Sequence, residues 1–128
     1  MCDQQKFFIC NHCKNLVGMI KDAGVSMVCC GEKMQELTAN TVEASTEKHI
    51  PVVTVQDNTV TVEIGSVAHP MLEEHHIAWV YLQTEKGGQR KALAIGENPR
   101  VTFQLSDDKP VTAFAYCNLH GLWKSDIF

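Results

Sequence analysis

Six cysteines and six histidines in 128 residues are the side chains of this sequence best suited to metal or redox chemistry. Cys10-Asn11-His12-Cys13 forms a CxxC loop, whose turn lets two thiolates reach one ion, and Cys29-Cys30 is a vicinal pair followed by Gly31. Four thiolates in tetrahedral geometry suit zinc or a single iron. Adjacent cysteines cannot form the usual two-residue-spaced knuckle, so their share of the tetrahedron should be distorted, a departure from zinc ribbons in which both halves are CxxC. On the residues alone, a structural zinc is the simpler reading of this pattern. His12 lies inside the loop, but four cysteines already complete the shell, and it reads as exposed. Cys2 is left over near the terminus and reads as a free thiol.

A second set lies further along the chain: His49, His69, His75, His76, Cys117 and His120. Cys117-Asn118-Leu119-His120 spaces a thiolate and an imidazole so that one turn can chelate one ion. His69 and His75 are not at helical chelate spacing, and Pro70 between them favours a loop. His49 stands before Ile50-Pro51, where the residue preceding proline should be extended. Each histidine taken singly fits a surface or satisfied core position. Five together with a cysteine outside the cysteine-rich segment point to a second metal site.

The elements that must position these groups fall into two segments. Residues 1–37 hold five cysteines and one histidine, and residues 38–128 hold five histidines and one cysteine. The polar stretch from Thr38 to Glu47 reads as a connector into a functional loop. In the first segment Phe7–Ile9, Leu16–Ile20 and Val25–Val28 read as short strands, with Ala23-Gly24 as a turn. Domains below about 40 residues seldom bury enough apolar surface to fold alone, so a metal staple is expected, with binding coupled to folding. In the second segment Val60, Val62 and Ile64 alternate with polar neighbours, as do Val101, Phe103 and Leu105. Ile77, Trp79 and Tyr81 give a third alternating face, and Val111, Ala113 and Ala115 a fourth. Turn residues at Asp57-Asn58, Lys86-Gly87-Gly88, Asn98-Pro99 and Asp107–Pro110 separate these runs. The expected fold is all-β, a small metal domain followed by an antiparallel sandwich.

The formal charge of −4, without a run of Lys or Arg, excludes a phosphate-tracking surface for nucleic acid. No segment reaches the roughly 18–20 apolar residues of a membrane span. The first residues lack the layout of a secretory signal, and the expected location is the cytoplasm. There disulfides seldom persist and clustered cysteines point to metals.

Three segments carry a more specific likeness: Glu47-Lys48-His49-Ile50-Pro51-Val52, Gly65-Ser66-Val67-Ala68-His69-Pro70-Met71 and Tyr116-Cys117-Asn118-Leu119-His120-Gly121-Leu122-Trp123-Lys124. Together with the CxxC and Cys-Cys pairs, they resemble the signature segments of the desulfoferrodoxins, two-iron superoxide reductases. The resemblance implies a desulforedoxin-like domain over 1–37, its iron held by Cys10, Cys13, Cys29 and Cys30. It implies an immunoglobulin-like sandwich over 38–128, with a second mononuclear iron held by His49, His69, His75 and His120 and by Cys117 as axial thiolate. His75 rather than His76 matches the ligand by loop spacing; His76 stands where an aromatic residue is often found. Superoxide is then the substrate and hydrogen peroxide the product. Lys48 would attract the anion, and Glu47 would be the carboxylate that approaches the oxidised metal. A rubredoxin-like electron donor and a homodimer are implied as well. Without the resemblance two readings stay open: a zinc-stapled interaction protein and a non-catalytic electron carrier using the four-cysteine iron.

Overall fold

The computed structural model describes residues 4–41 and 46–127, and the chain divides into two compact units, Met1–Thr38 and Ala39–Phe128. Cys2 lies outside the described residues.

In the first unit, strands β1 (Lys6–Ile9), β2 (Leu16–Met19) and β5 (Gln35–Glu36) form an antiparallel sheet in the order β2-β1-β5. Strands β3 (Val28–Cys29) and β4 (Glu32–Lys33) make a separate hairpin in which Cys29 faces Glu32. Its two-residue loop is Cys30-Gly31, both with positive φ (54° and 78°), as the tight turns that match strand twist require. Glycine takes that conformation freely, whereas Cys30 is held there at some strain. Among the described residues of this unit only Phe7 and Cys10 are buried. So small an apolar interior cannot offset the entropy of ordering the chain. The strand expected over Val25–Val28 is confined to its last residue. Asp22 Oδ1 accepts from the Gly24 amide at 2.8 Å, and Val25 stays 75% exposed, so the segment turns where it was expected to extend.

The second unit opens with a single helical turn, α1 (Thr46–His49), where a connector was expected. The Ile50 amide closes it on the Thr46 carbonyl at 2.9 Å, and Pro51 prevents its continuation. Two antiparallel sheets follow. One has the order β10-β7-β6, from β6 (Pro51–Gln56), β7 (Thr59–Ile64) and β10 (Arg100–Gln104). The other has the order β12-β11-β8-β9, from β8 (Ile77–Thr84), β9 (Gly87–Ala92), β11 (Pro110–Cys117) and β12 (Gly121–Asp126). Their facing sides meet in one core: Val60, Val62, Ile64, Val101 and Phe103 from the first sheet, and Ile77, Val80, Leu82, Ala113, Ala115 and Cys117 from the second. Side chains bond across both seams. Gln89 donates to the Gln104 carbonyl at 2.9 Å and Lys91 to that of Thr102, while Ser125 donates to that of Pro51. These bonds satisfy carbonyls on the edge strands β10 and β6.

The face expected to carry Ile77, Trp79 and Tyr81 together is divided. Tyr116 pairs with Trp79, but the next residue, Cys117, pairs with Ile77, so Ala78 is an extra residue in β8. A bulge of this kind reverses the alternation along a strand. Ile77 and Cys117 enter the core beyond the bulge, and Val80 and Leu82 enter it before. Trp79 and Tyr116 stack on each other, with rings 5.5 Å apart and 4° from parallel.

A Cβ built on Gly88 would lie 2.1 Å from the Tyr81 hydroxyl and 2.4 Å from its ring carbon. Gly88→Ala should therefore lower stability by about 1–3 kcal/mol through overpacking. The measurement is the urea midpoint, and an unchanged midpoint would show that Tyr81 moves aside freely.

Candidate metal centres

The first unit gathers Cys10, Cys13, Cys29 and Cys30 so that their sulfurs all lie within 4.8 Å of one another. The Cys13 and Cys29 sulfurs are 3.6 Å apart, and those of Cys29 and Cys30 are 4.0 Å apart. A tetrahedron with metal–sulfur bonds of about 2.3 Å has edges of about 3.8 Å, so the spacing fits one four-coordinate ion. The CxxC turn brings backbone donors inward: the Cys13 amide reaches the Cys10 sulfur and the Asn15 amide the Cys13 sulfur, each at 3.5 Å. These bonds favour thiolate, and that from Cys13 leads in lowering the Cys10 thiol to about 6. Cys30 is pushed up to about 12, chiefly because its thiol bonds to the sulfurs of Cys13 and Cys10. One negative sulfur thus discourages the next, and only a cation makes four thiolates tenable together. His12 turns outward, its Nε2 2.9 Å from a Glu32 carboxylate oxygen.

In the second unit the donors come from three places: the end of α1, the β7–β8 loop, which carries His69 and His75, and the β11–β12 hairpin. His49, His69, His75 and His120 form a closed ring. Successive ring centroids are 4.5, 4.6, 5.0 and 4.9 Å apart, and each neighbour is turned by 80–82°. His49 and His75 stand across from each other at 6.1 Å. The Nε2 of His49 lies 3.1 Å from His69 Nε2 and 3.1 Å from His120 Nδ1. A square with edges of that length has its centre about 2.2 Å from each corner, close to the length of a metal–imidazole bond. Cys117 Sγ is fully buried, belongs to the same donor group as His49, His69 and His75, and lies 3.8 Å from His120 Nδ1.

His75 Nε2 is buried without a hydrogen-bond partner. A buried nitrogen left this way costs about 1–3 kcal/mol unless something accepts its lone pair. His69 shows the complementary sign. Its Nδ1–H donates to the Pro70 carbonyl at 2.7 Å, which leaves the lone pair on Nε2, facing His49. Burial holds His69 down to about 4, and burial followed by the neighbouring His120 lowers His75. Burial raises the Cys117 thiol. His69 and His75 are therefore ready donors at neutral pH, and the sulfur must lose a proton to join them. The donor set fits a resident metal with mixed nitrogen and sulfur preference, as iron has.

The surroundings add one residue that spacing did not single out. Trp123 packs on His49, with centroids 4.8 Å apart, and its indole N–H donates to the His120 carbonyl at 3.1 Å. His76 lies outside the ring: its Nδ1 reaches the carbonyls of Leu72 at 2.9 Å and Glu73 at 3.1 Å. Lys48 sits in α1 beside His49, half-buried, and its charge adds to the lowering of His75. Glu47 precedes it in the same turn, and its side chain lies outside the described part of the structure.

Residues 41–126 match the family model described as Desulfoferrodoxin. The chain belongs to the desulfoferrodoxin family. It is 40% identical over 126 residues to the desulfoferrodoxin of Nitratidesulfovibrio vulgaris, covering 98% of this chain and 99% of that one. The desulfoferrodoxin homolog of Archaeoglobus fulgidus is 38% identical at the same coverage. Among solved structures, the superoxide reductase from Treponema pallidum superposes with a TM-score of 0.81 at 46% identity, covering 97% of this chain and all of that one. The all-β architecture and both donor sets are thus those of a desulfoferrodoxin, consistent with two mononuclear irons per chain.

His75→Ala should abolish the long-wavelength ferric–thiolate absorption of the second centre, whereas His76→Ala should retain it. The opposite result would place the ligand one residue later. Metal uptake by the apo second centre should strengthen about tenfold per pH unit between pH 7 and 8.5, because one thiol proton, on Cys117, is displaced. Competition with a chelator measures this, and a flat profile would mean that the sulfur is not a ligand.

Proposed function

We propose that this desulfoferrodoxin is a superoxide reductase, delivering one electron and two protons to superoxide and releasing hydrogen peroxide at the five-donor centre. The observation that carries the reading is the closed ring of four imidazoles with a buried sulfur against it. A relative named superoxide reductase, similar along its whole length, supports it. His49, His69, His75, His120 and Cys117 would hold the iron, whose ferrous form would supply the electron.

The chain's own groups perform the rest. Cys117 lies on the core side of the ring, while His75 and His120 reach the surface, so the anion approaches from the solvent side. There Lys48 offers the positive charge. In a chain of net charge −4 such a charge must act locally, and focusing of this kind raises association rates by roughly 10–10³. Lys48 also binds the anion's oxygen by hydrogen bonding and favours its protonation. Glu47 is assigned with it to the catalytic pair, as a carboxylate donor toward the oxidised metal. With iron bound, the sulfur of Cys117 would donate electron density to it, as thiolates do in other iron sites. A reductase takes each electron from an external donor and produces no dioxygen.

The four-cysteine centre of the unit spanning residues 1–37 is assigned an accessory redox and structural role, with residues 38–128 as the catalytic domain. The family resemblance supports a rubredoxin-like donor and a homodimer, and the described cysteines, clustered as free thiols rather than paired in disulfides, support a cytoplasmic location. No helix among the described residues is long and apolar enough to cross a membrane.

Stopped-flow decay of superoxide with the iron-loaded, reduced protein tests the reading. One peroxide per superoxide without dioxygen is expected; dioxygen release, or decay no faster than the buffer's, would refute it. Lys48→Ile should slow the second-order reaction about tenfold or more at low salt and less at high salt. An unchanged rate at low salt would remove Lys48 from the steering role.

A further inference from the structure

We propose that Asn118 is a positioning residue for the second metal centre: its side chain and amide grip the backbone on both sides of His75 and set that imidazole against Cys117. The Asn118 side-chain carbonyl accepts from the His76 amide at 2.8 Å, and its side-chain NH₂ donates to the Glu74 carbonyl at 3.1 Å. Its own amide donates to the His76 carbonyl at 3.1 Å. The residue before His75 and the residue after it are thus both held by the residue that follows Cys117.

The other ligands have supports of their own. His69 is oriented by the Pro70 carbonyl, His49 by the Trp123 ring, and His120 by the three-residue turn that returns at Gly121, whose φ is 77°. Among the described residues, by contrast, His75 makes no hydrogen bond with its ring, and its Nε2 is buried unpaired. Its direction therefore depends on its backbone. The loop closes locally, with the Leu72 amide donating to the His75 carbonyl at 2.9 Å and the His75 amide to that of Leu72 at 3.1 Å. His76 ties the same loop through the Leu72 and Glu73 carbonyls. These bonds shape the end of the loop around His75. Its earlier part is tied by the Gly96 amide, which donates to the Met71 carbonyl at 2.9 Å. Asn118 attaches the His75 end, and it does so from the hairpin that carries two of the five donors. Serine or alanine in its place keeps the amide bond and loses the two-sided grip, and a carboxylate turns the donor facing Glu74 into a second acceptor.

The inference rests on the five-donor centre and not on its reaction with superoxide, so its test is metal retention. In the full-length protein loaded with Co(II), Asn118→Ala should increase loss of metal from the second centre to a chelator about 10–100-fold, as is usual when a group that orients a ligand is removed. The tetrathiolate Co(II) bands of the first centre serve as an internal control and should fade at the wild-type rate. Hydrogen exchange should quicken at the His75 and His76 amides and stay unchanged in β7 and β10. Asn118→Asp should fall with the alanine variant, because the grip needs both a donor and an acceptor. Wild-type metal retention in Asn118→Ala, or quickened exchange throughout the sandwich, would overturn the proposal. Intact retention with no superoxide activity in the wild type would instead count against the reductase reading.

Discussion

Four imidazoles and a sulfur converge on one small volume, an arrangement whose lone pairs a single cation would satisfy together. His49 Nε2 stands 3.1 Å from two neighbouring ring nitrogens, only one of which it can hydrogen-bond while neutral, and the unpaired His75 nitrogen is costly in an interior of low polarity. The remaining structure of residues 39–128 serves to enforce that approach. A sandwich does so well, because strand ends and loops remote in sequence emerge side by side from a rigid core. The helical turn Thr46–His49, the His69-Pro70 loop, the loop ending at His75 and the 118–120 turn all leave from such positions.

The bulge in β8 makes the arrangement possible at its buried end. Strict alternation from Val80 and Leu82 would turn residue 78, an alanine, toward the core and residue 77 away from it. The extra residue restores Ile77 to the interior opposite Cys117 and lets β11 deliver its sulfur into the core. The stacked pair Trp79–Tyr116 covers the outer side of the same step. Register and ligand placement are therefore one decision, taken by packing.

The four-cysteine unit follows a different economy. With only Phe7 and Cys10 buried among its described residues, its order depends on the cross-link that a metal would make among four sulfurs. The vicinal pair, which looks unsuited to a tetrahedron, works because Cys30 enters a two-residue turn in the left-handed region and redirects its sulfur toward that of Cys29.

Much of this was legible from residue types and order. Period-two alternation located β7 and β10, turn residues marked their limits, and the signature segments carried the family and the candidate donors. Less legible were the one-turn helix at Thr46–His49 and the lost strand at Val25–Met27, which single local hydrogen bonds decide, and the parity change at Ala78, which pairing with the distant β11 decides. By itself, the sequence determined which groups could donate, since donor chemistry belongs to the side chain and survives in any conformation. The resemblance favoured His75 over His76, but only the tertiary structure decided what separates them physically: His75 turns inward while the adjacent His76 ties down its own loop, because two like residues next to each other differ only in what surrounds them. That choice is made by long-range hydrogen bonds and core packing, which no local pattern encodes.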